Sequence, residues 1–456
     1  MSPSHGADVP RFRHSPIMAV GLSVLFLAGG CARYRSAPLN PEQFASSLEQ
    51  RSAMNEAGAP KPAALSAVTL EEAEAIALFY NPTLRAARLK ALIPAVGARK
   101  AGRWENPEIS ADVLRIVEAV EEPWIIGSSL AFTIPISGRL SVERSKASAE
   151  AYAALVESWR AEQKVLQSLR EAWVAWEARE RALEATRESL QHLASVTAIT
   201  TKLEDAGELV AAEAVVFRMA AARANADLAR MEAAAAQARQ AVLAEMGLLP
   251  TAPITFLHGA ESMNKEATVS REDLLARNPD VAQSAADYAV AEEALRLEIR
   301  SQYPDIQLGP AYGREDAQDR IGVGVSIPVP IFNRNGRAIA EATASRDAAR
   351  AVWEEAAQRA IMESSSLAAA LAAAERHRTQ LHEDLMPLAE KQLEEARRLA
   401  DQGEVNALLL LEALNAHRDT HIELIDADAD VARVAIAIRA LTPPPPPQMK
   451  KADEKK

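Results

Sequence analysis

The chain contains a stretch of unusual length that carries no helix-breaking residue. From Leu140 to Leu203 there is neither proline nor glycine, and the stretch is rich in alanine, leucine, glutamate and arginine, a composition typical of long packed helices. At 1.5 Å per residue, one continuous helix here would reach roughly 95 Å. Such a helix cannot fold back into a compact globule, so we expect it to pack against neighbouring helices as a bundle or coiled coil.

A second stretch of this kind lies in the other half of the chain. Asn335 to Leu399 is broken only by a glycine near its start and by Pro387. Gly207 and Gly403 follow the two long stretches, and a further helical segment follows each glycine. Glycine tolerates the positive φ that a tight reversal requires. We therefore predict two long helical hairpins, each turning at its glycine.

The two halves share their landmark residues at a nearly constant separation, which indicates an internal duplication. Short solenoid repeats have periods of tens of residues, so a duplicated domain is the better interpretation. The matched landmarks are Asn81-Pro82 with Asn278-Pro279 (offset 197), Pro107 with Pro304 (197), Gly138-Arg139 with Gly336-Arg337 (198), and Gly207-Glu208 with Gly403-Glu404 (196).

Each half also predicts an amphipathic helix, notched by its Asn-Pro pair, and two short strands before the long helix. The helices are Leu70–Lys100 and Arg271–Arg300. In the second half the strands are Asp305–Gly313 and Ile321–Pro328; along the latter, branched apolar residues alternate with glycine and serine. Residues Ser129–Ile134 show the same alternation in the first half.

Four strands per chain constrain the assembly. They would expose two sheet edges, and unpaired edges are not tolerated inside a membrane. Three chains would supply twelve strands and close a barrel. The predicted fold class is mostly α with a small β part, built from a duplicated strand-helix unit.

The N-terminus is typical of an exported lipoprotein. Basic residues precede the apolar stretch Ile17–Ala28, which is too short to span a bilayer. Two glycines follow it and precede Cys31, the single cysteine of the chain. The segment resembles a lipobox, although its leucine lies four residues before the cysteine instead of three. Ala32, in place of aspartate, favours transfer to the outer membrane. An ordinary signal peptide that happens to contain a cysteine is the alternative.

The predicted organisation follows from these features. It comprises a signal peptide at 1–30, a lipidated linker at 31–67, a first repeat at 68–250, a second repeat at 251–442, and a Pro- and Lys-rich disordered tail at 443–456.

Charge and motifs exclude several classes of function. The net charge of −12 argues against a nucleic-acid partner, because phosphate binding needs clustered Lys and Arg. Beyond the N-terminus no apolar run is long enough for a spanning helix, so any crossing of a membrane would use strands. No nucleophile elbow, phosphate loop, zinc-protease helix or catalytic carboxylate pair stands out in the sequence. We therefore predict neither an enzyme nor a cofactor.

The layout over residues 68–441 resembles the TolC-type outer-membrane efflux proteins. The matching segments are Thr69–Ala73 running into Asn81-Pro82 and Leu84–Arg88, the strand-to-helix passage Ile327–Gly336, which is especially similar to the heavy-metal cation branch, and the glycine turns at 206–208 and 402–405.

The resemblance implies a lipid-anchored homotrimer with a twelve-stranded β-barrel in the outer membrane and a long periplasmic portion that forms an α-helical barrel. Its tunnel would dock a periplasmic adaptor (membrane fusion protein), which links it to an inner-membrane efflux pump of RND type. The pump would supply the energy and choose the cargo, with metal cations as one candidate, and this subunit would conduct passively. A periplasmic coiled-coil adaptor or scaffold lipoprotein is the alternative, although such a protein would carry one helical hairpin and no duplicated strand pairs.

The resemblance also assigns site residues. The hairpin tips would contact the adaptor through Gly207, Glu208, Leu209, Val210, Gly403, Glu404, Val405 and Asn406. In a trimer, Glu412 and Leu409 would ring the closed end of the tunnel, where the three carboxylates could select cations or latch the gate. For Glu412, an ordinary solvated glutamate is an equally good interpretation.

The histidines do not predict a metal site. His377 and His382 are five residues apart and so lie on different helix faces, whereas His417 and His421 could share a face among solvated neighbours.

Two further predictions concern the strand pairs. The aromatic residues around the strand pairs would form an interfacial girdle or, alternatively, pack in the core: Trp104, Trp124, Phe132, Tyr303 and Tyr312. Arg314–Asp319 predicts an exposed turn.

Overall fold

A computed structural model describes residues 34–50, 67–117, 124–259, 269–315, 318–401 and 407–447. The chain divides into two units, Met1–Glu49 and Gln50–Lys456. Helix α1 (Pro41–Gln50) falls almost entirely in the first, where the Asn40 side chain accepts a hydrogen bond from the Gln43 amide. Across the described ranges, no helix combines the length and apolar character needed to cross a membrane.

The second unit contains two matching series of elements, in which the chain passes from short helices through a strand pair to a long helix and a return helix. The first series is β1 (Ala67–Val68), α2 (Leu70–Tyr80), α3 (Pro82–Ala98), β2 (Glu108–Arg115), β3 (Trp124–Ile134), α4 (Arg139–Asp205) and α5 (Ala211–Glu245). The second is β4 (Thr255–Phe256), α6 (Arg271–Arg277), α7 (Pro279–Arg300), β5 (Ile306–Glu315), β6 (Gln318–Ser326), α8 (Gly336–Gln380), a π turn (Leu381–Leu385), α9 (Met386–Asp401) and α10 (Ala407–Leu441).

The two long helical stretches differ in their continuity. Helix α4 runs unbroken for 67 residues. Its counterpart contains the π turn between α8 and α9, where the Met386 amide donates to the Leu381 carbonyl, five residues back. Pro387 follows at once, and its ring would clash with the carbonyl four residues before it in a regular helix. The wider π turn is the local arrangement that accommodates this proline.

The Asn-Pro notches are helix starts. Asn81 accepts a hydrogen bond from the Leu84 amide at 3.1 Å and so caps α3, while its Nδ2 donates to the Glu245 carbonyl at the end of α5, at 2.8 Å. Asn278 caps α7 by accepting from Asp280 and Val281. Proline at the first helical position costs no hydrogen bond. Each pair therefore ends one helix and begins the next.

The larger sheet is antiparallel, with strand order β2-β3-β5-β6. Strands β3 and β5 join the two repeats at its centre, and every residue of the edge strands β2 and β6 is exposed. The predicted exposed turn at Arg314–Asp319 is wrong in its extent. The two strands stay paired almost to the reversal: Arg314 pairs with Asp319, and Glu315 pairs with Gln318.

The main core lies halfway along α4. Trp173 and Trp176 pack against Phe256, beside residues of α2, α3 and the end of α5. Gly247 has a φ of 71°, and a Cβ there would collide with the Tyr80 carbonyl, so a side chain would force α2 away from α5. A separate cluster joins α4 to α10. Through these two clusters, α5 of the first hairpin and α10 of the second hairpin both pack against α4.

Candidate functional site

The first hairpin turns through a Schellman motif. Gly207 adopts a left-handed conformation with φ of 77°. Its amide donates to the Glu204 carbonyl at 3.0 Å, and the Glu208 amide donates to the Leu203 carbonyl at 2.9 Å. These two bonds satisfy carbonyls that the end of α4 would otherwise leave without a partner. The tip is therefore built by α4 itself, with glycine at the position that needs it.

The residues after Gly207 form a short exposed bridge to α5. Leu209 is half-buried, Glu208 is exposed, and Val210 is 67% exposed. Val210 is extended, and its carbonyl accepts the first hydrogen bonds of α5 from Glu213 and Ala214. The bridge thus presents an acidic and an apolar side chain at the end of the hairpin.

An ion pair joins the two helices just above this tip. Arg218 Nη1 on α5 lies 2.8 Å from Glu204 Oε2 on α4. Deeper in the hairpin, Phe217 is fully buried against Leu193. The reversal is therefore held by the backbone at Gly207, by charge at Glu204 and by apolar packing below.

The second predicted tip, with Gly403, Glu404, Val405 and Asn406, lies outside the described residues, as does the predicted lipidation site Cys31. The flanking helices are described, and they pack together through Leu393, Ala396, Leu410, Ala413 and Leu414. Leu411 of α10 also packs against the Leu193–Phe217 cluster of the first hairpin. The helices leading to both tips are therefore in contact.

Glu412 and Leu409 are three residues apart on α10 and so share a face. Both side chains are exposed, Leu409 by 39%. Leu410, Ala413 and Leu414 lie on the opposite, buried face. The structure thus directs the predicted constriction residues away from the hairpin core.

Three of the histidines considered as metal ligands lie on α8 and α10. His377 Nε2 is 3.8 Å from Glu423 Oε1, and the His417 and His421 rings are 6.3 Å apart. Burial, with a smaller contribution from His421, lowers the pKa of His417. Within the described ranges, no three His, Cys, Asp or Glu side chains group so that they could hold a metal ion.

A charge cluster that the sequence analysis missed lies where strands meet helices. Arg139, the first residue of α4, pairs with Asp305 at 2.9 Å, with Glu143 at 2.8 Å and with Glu105 at 2.6 Å. The hydrogen bond to Asp305 is the largest cause that raises the pKa of Arg139 above its usual value. We name these four residues the Arg139 cluster. Its sequence signal was limited to the Arg-Glu spacing of four residues.

The aromatic side chains around the sheet do not pack in the core of this chain. Trp104 is 61% exposed, and Trp124, Tyr303 and Phe132 are also exposed. Arg115 lies over the Trp124 ring, at 5.6 Å. Core packing within one chain is therefore wrong for these four residues. Tyr312 is half-buried, and its hydroxyl donates to Asp319 Oδ1 at 2.7 Å. For all five residues the interfacial girdle stays a prediction.

Comparison with known proteins bears on the whole arrangement. Residues 271–442 match the family model described as "Outer membrane efflux protein". A membrane protein from Pseudomonas aeruginosa is similar to the chain with a TM-score of 0.71 at 18% identity, covering 90% of this chain and 96% of that one. No curated protein matches.

Two named structures are also similar to the chain. The outer membrane protein VceC from Vibrio cholerae has a TM-score of 0.69 at 19% identity, covering 82% of this chain and 96% of that one. The open-state MtrE outer membrane channel from Neisseria gonorrhoeae has a TM-score of 0.66 at 16% identity, covering 90% and 98%. These likenesses establish the fold.

Proposed function

We propose that this chain, whose residues 271–442 match the model of the outer membrane efflux proteins and whose fold is that of solved outer membrane channels, is the outer-membrane conduit of a tripartite export system. In this system three copies enclose one pore. Solutes pass from a periplasmic adaptor and an inner-membrane pump of RND type to the exterior. The subunit itself performs no chemistry.

The sheet is the observation that carries this proposal. Strands β2 and β6 end the four-stranded sheet with exposed edges, and within the described residues neither pairs with another strand on its outer side. Exposed backbone donors and acceptors are costly in lipid, and closure removes both edges at once. Three copies supply twelve strands, which is within the range of membrane barrels.

The hairpin tips are the proposed contact with the adaptor. Glu208, Leu209 and Val210 offer an acidic and apolar surface around Gly207. By the duplication, Gly403, Glu404, Val405 and Asn406 would offer a second one. The contact between the two hairpins near α10 supports a common docking end.

Lipid attachment at Cys31 would hold the N-terminus at the periplasmic leaflet of the outer membrane. Two acyl chains on this residue would add hydrophobic anchoring to the insertion of the sheet. Residues 34–40, which follow closely, lie outside the helices and strands of the structure.

The cargo is proposed more coarsely. Glu412 and Leu409 share an exposed face of α10, and three copies of the carboxylate around a narrow pore would favour cations. Metal cations are therefore one candidate cargo, with the choice made by the pump. A periplasmic scaffold lipoprotein is the rival function, and the exposed four-stranded sheet disfavours it, because a scaffold has no use for two open edges.

Conductance tests the proposal. The mature protein, purified from outer membranes and added to a planar lipid bilayer, should produce discrete current steps and migrate as a heat-labile oligomer. Cys31→Ser should reduce membrane retention while the protein still conducts after reconstitution. If the protein stays monomeric and produces no current in the bilayer, the result would support the scaffold function instead.

A further inference from the structure

The Arg139 cluster follows a simple topological rule. Helix α4 begins shortly after β3, and Asp305 directly precedes β5, the strand that pairs with β3. The arginine after one strand thus meets the acid before the neighbouring strand. In this cluster the Arg139 side chain is only 20% exposed.

The duplication places a second arginine at the corresponding join. Arg337 is the second residue of α8, which follows β6, and its Nε lies 2.8 Å from Glu341 Oε1, four residues on, as Arg139 pairs with Glu143. The other partners differ. The Arg337 side chain is 90% exposed, and an amide, Gln302, occupies the position that corresponds to Glu105.

The duplication also identifies the acid that Arg337 lacks. The counterpart of Asp305, at an offset of 197, is Glu108. Glu108 is the exposed first residue of β2. Within one chain β2 and β6 are the opposite edges of the sheet, so the same rule can bring Glu108 to Arg337 only from another chain.

We infer that Glu108 of a second copy of this chain completes an ion-pair site at Arg337. The inference rests on the proposed ring, in which β6 of one copy pairs with β2 of the next as β3 pairs with β5. Opposite charges at this junction favour the pairing of β6 with β2, whereas like charges there would oppose it. Each ring would then carry three such sites between subunits and three Arg139 clusters within them.

Charge reversal tests this site. Arg337→Glu and Glu108→Arg should each lower the yield of SDS-resistant oligomer by about tenfold, since like charges would face each other at all three junctions. The double variant should recover most of the wild-type yield. Asp305→Asn is the matched control, because it weakens an ion pair within one chain and should leave the yield within about twofold of wild type.

Carbodiimide cross-linking gives a second measurement that does not depend on stability. Arg337→Lys should form an amide with Glu108 and join two chains covalently, whereas Arg139→Lys should form its amide within one chain. Adding Glu108→Gln to Arg337→Lys should abolish the interchain product. Oligomers that conduct but show neither rescue nor this product would overturn the inference and leave the proposed function intact. Monomers that do not conduct would overturn both.

Discussion

At the scale of single residues, the backbone conformation of Gly207 restricts which side chain this position can carry. Its φ of 77° is left-handed, and a Cβ there would meet no atom within 4 Å. Gly207→Ala should therefore cost about 1–2 kcal/mol from backbone strain alone. Gly207→Asn should cost less, because asparagine tolerates this region.

Thermal unfolding of the purified protein measures this effect. Gly97→Ala is the matched control, since Gly97 lies inside α3 with open space around it, and alanine there should stabilise by about 0.5–1 kcal/mol. Equal effects at the two glycines would contradict the left-handed turn at the tip.

His417 gives the molecule a predicted response to pH. Burial and His421 lower its pKa, with Arg397 acting in the same direction and Glu390 and Glu188 opposing it. Because the folded pKa lies below the unfolded value, protonation favours the unfolded state. The neutral His417 side chain makes its full contribution to the free energy of unfolding above about pH 6.5. This contribution is lost as the pH falls through the lowered pKa of the folded state.

Comparing wild type with His417→Gln isolates this contribution. Unfolding temperatures measured from pH 7.5 to 5 should fall more steeply for the wild type than for the variant. Parallel curves would show that His417 is solvated like an ordinary histidine.

The Arg139 cluster could not be predicted from the sequence. It joins residues 34 and 166 positions apart, and local sequence patterns carry no signal for such contacts.

At the scale of elements, the Asn-Pro notches differ between the two repeats. Asn81 caps α3 and also bonds to the end of α5, whereas the Asn278 side-chain oxygen accepts two bonds at the start of its own helix. Asn81→Ala should destabilise by about 2–3 kcal/mol, because a helix cap and a bond to a carbonyl are lost together. Asn278→Ala should cost about 1–2 kcal/mol.

Urea unfolding of the two variants side by side would test this difference. A larger loss at Asn278 than at Asn81 would contradict the joint between α3 and α5. Each variant is a control for the other, because both asparagines are buried and each precedes a proline at a helix start.

The elements themselves were largely predictable from the sequence. The long helices follow from the absence of proline and glycine, and the strand pairs follow from alternation. The π turn was not predictable, because Pro387 could equally have kinked or ended the helix. The length of β5 and β6 was underestimated, because the polar residues from Arg314 to Asp319 resemble a turn although most of them continue the ladder.

At the scale of the whole molecule, the proposed constriction predicts a change in ion selectivity. Glu412→Gln should lower the preference for cations over anions in planar bilayers severalfold, because three carboxylates are removed from one ring. Glu208→Gln is the control, since the tip should not affect current when no adaptor is present. An unchanged preference in Glu412→Gln would make this residue an ordinary solvated glutamate.

The duplicated sequence and the two open sheet edges both bear on how the chain assembles. The offset of 196–198 residues fixes the repeated order of elements, and the sheet leaves two open edges that one chain cannot close. Neither feature defines the cargo, because selection would lie in the pump and adaptor, which are other chains.

Electron cryomicroscopy of the oligomer extracted from outer membranes tests the central claim most directly. The account predicts three copies around one axis, twelve strands in a closed barrel, and β6 of each copy hydrogen-bonded to β2 of the next. A particle in which β2 and β6 stay unpaired, or in which a different number of copies closes the ring, would contradict it.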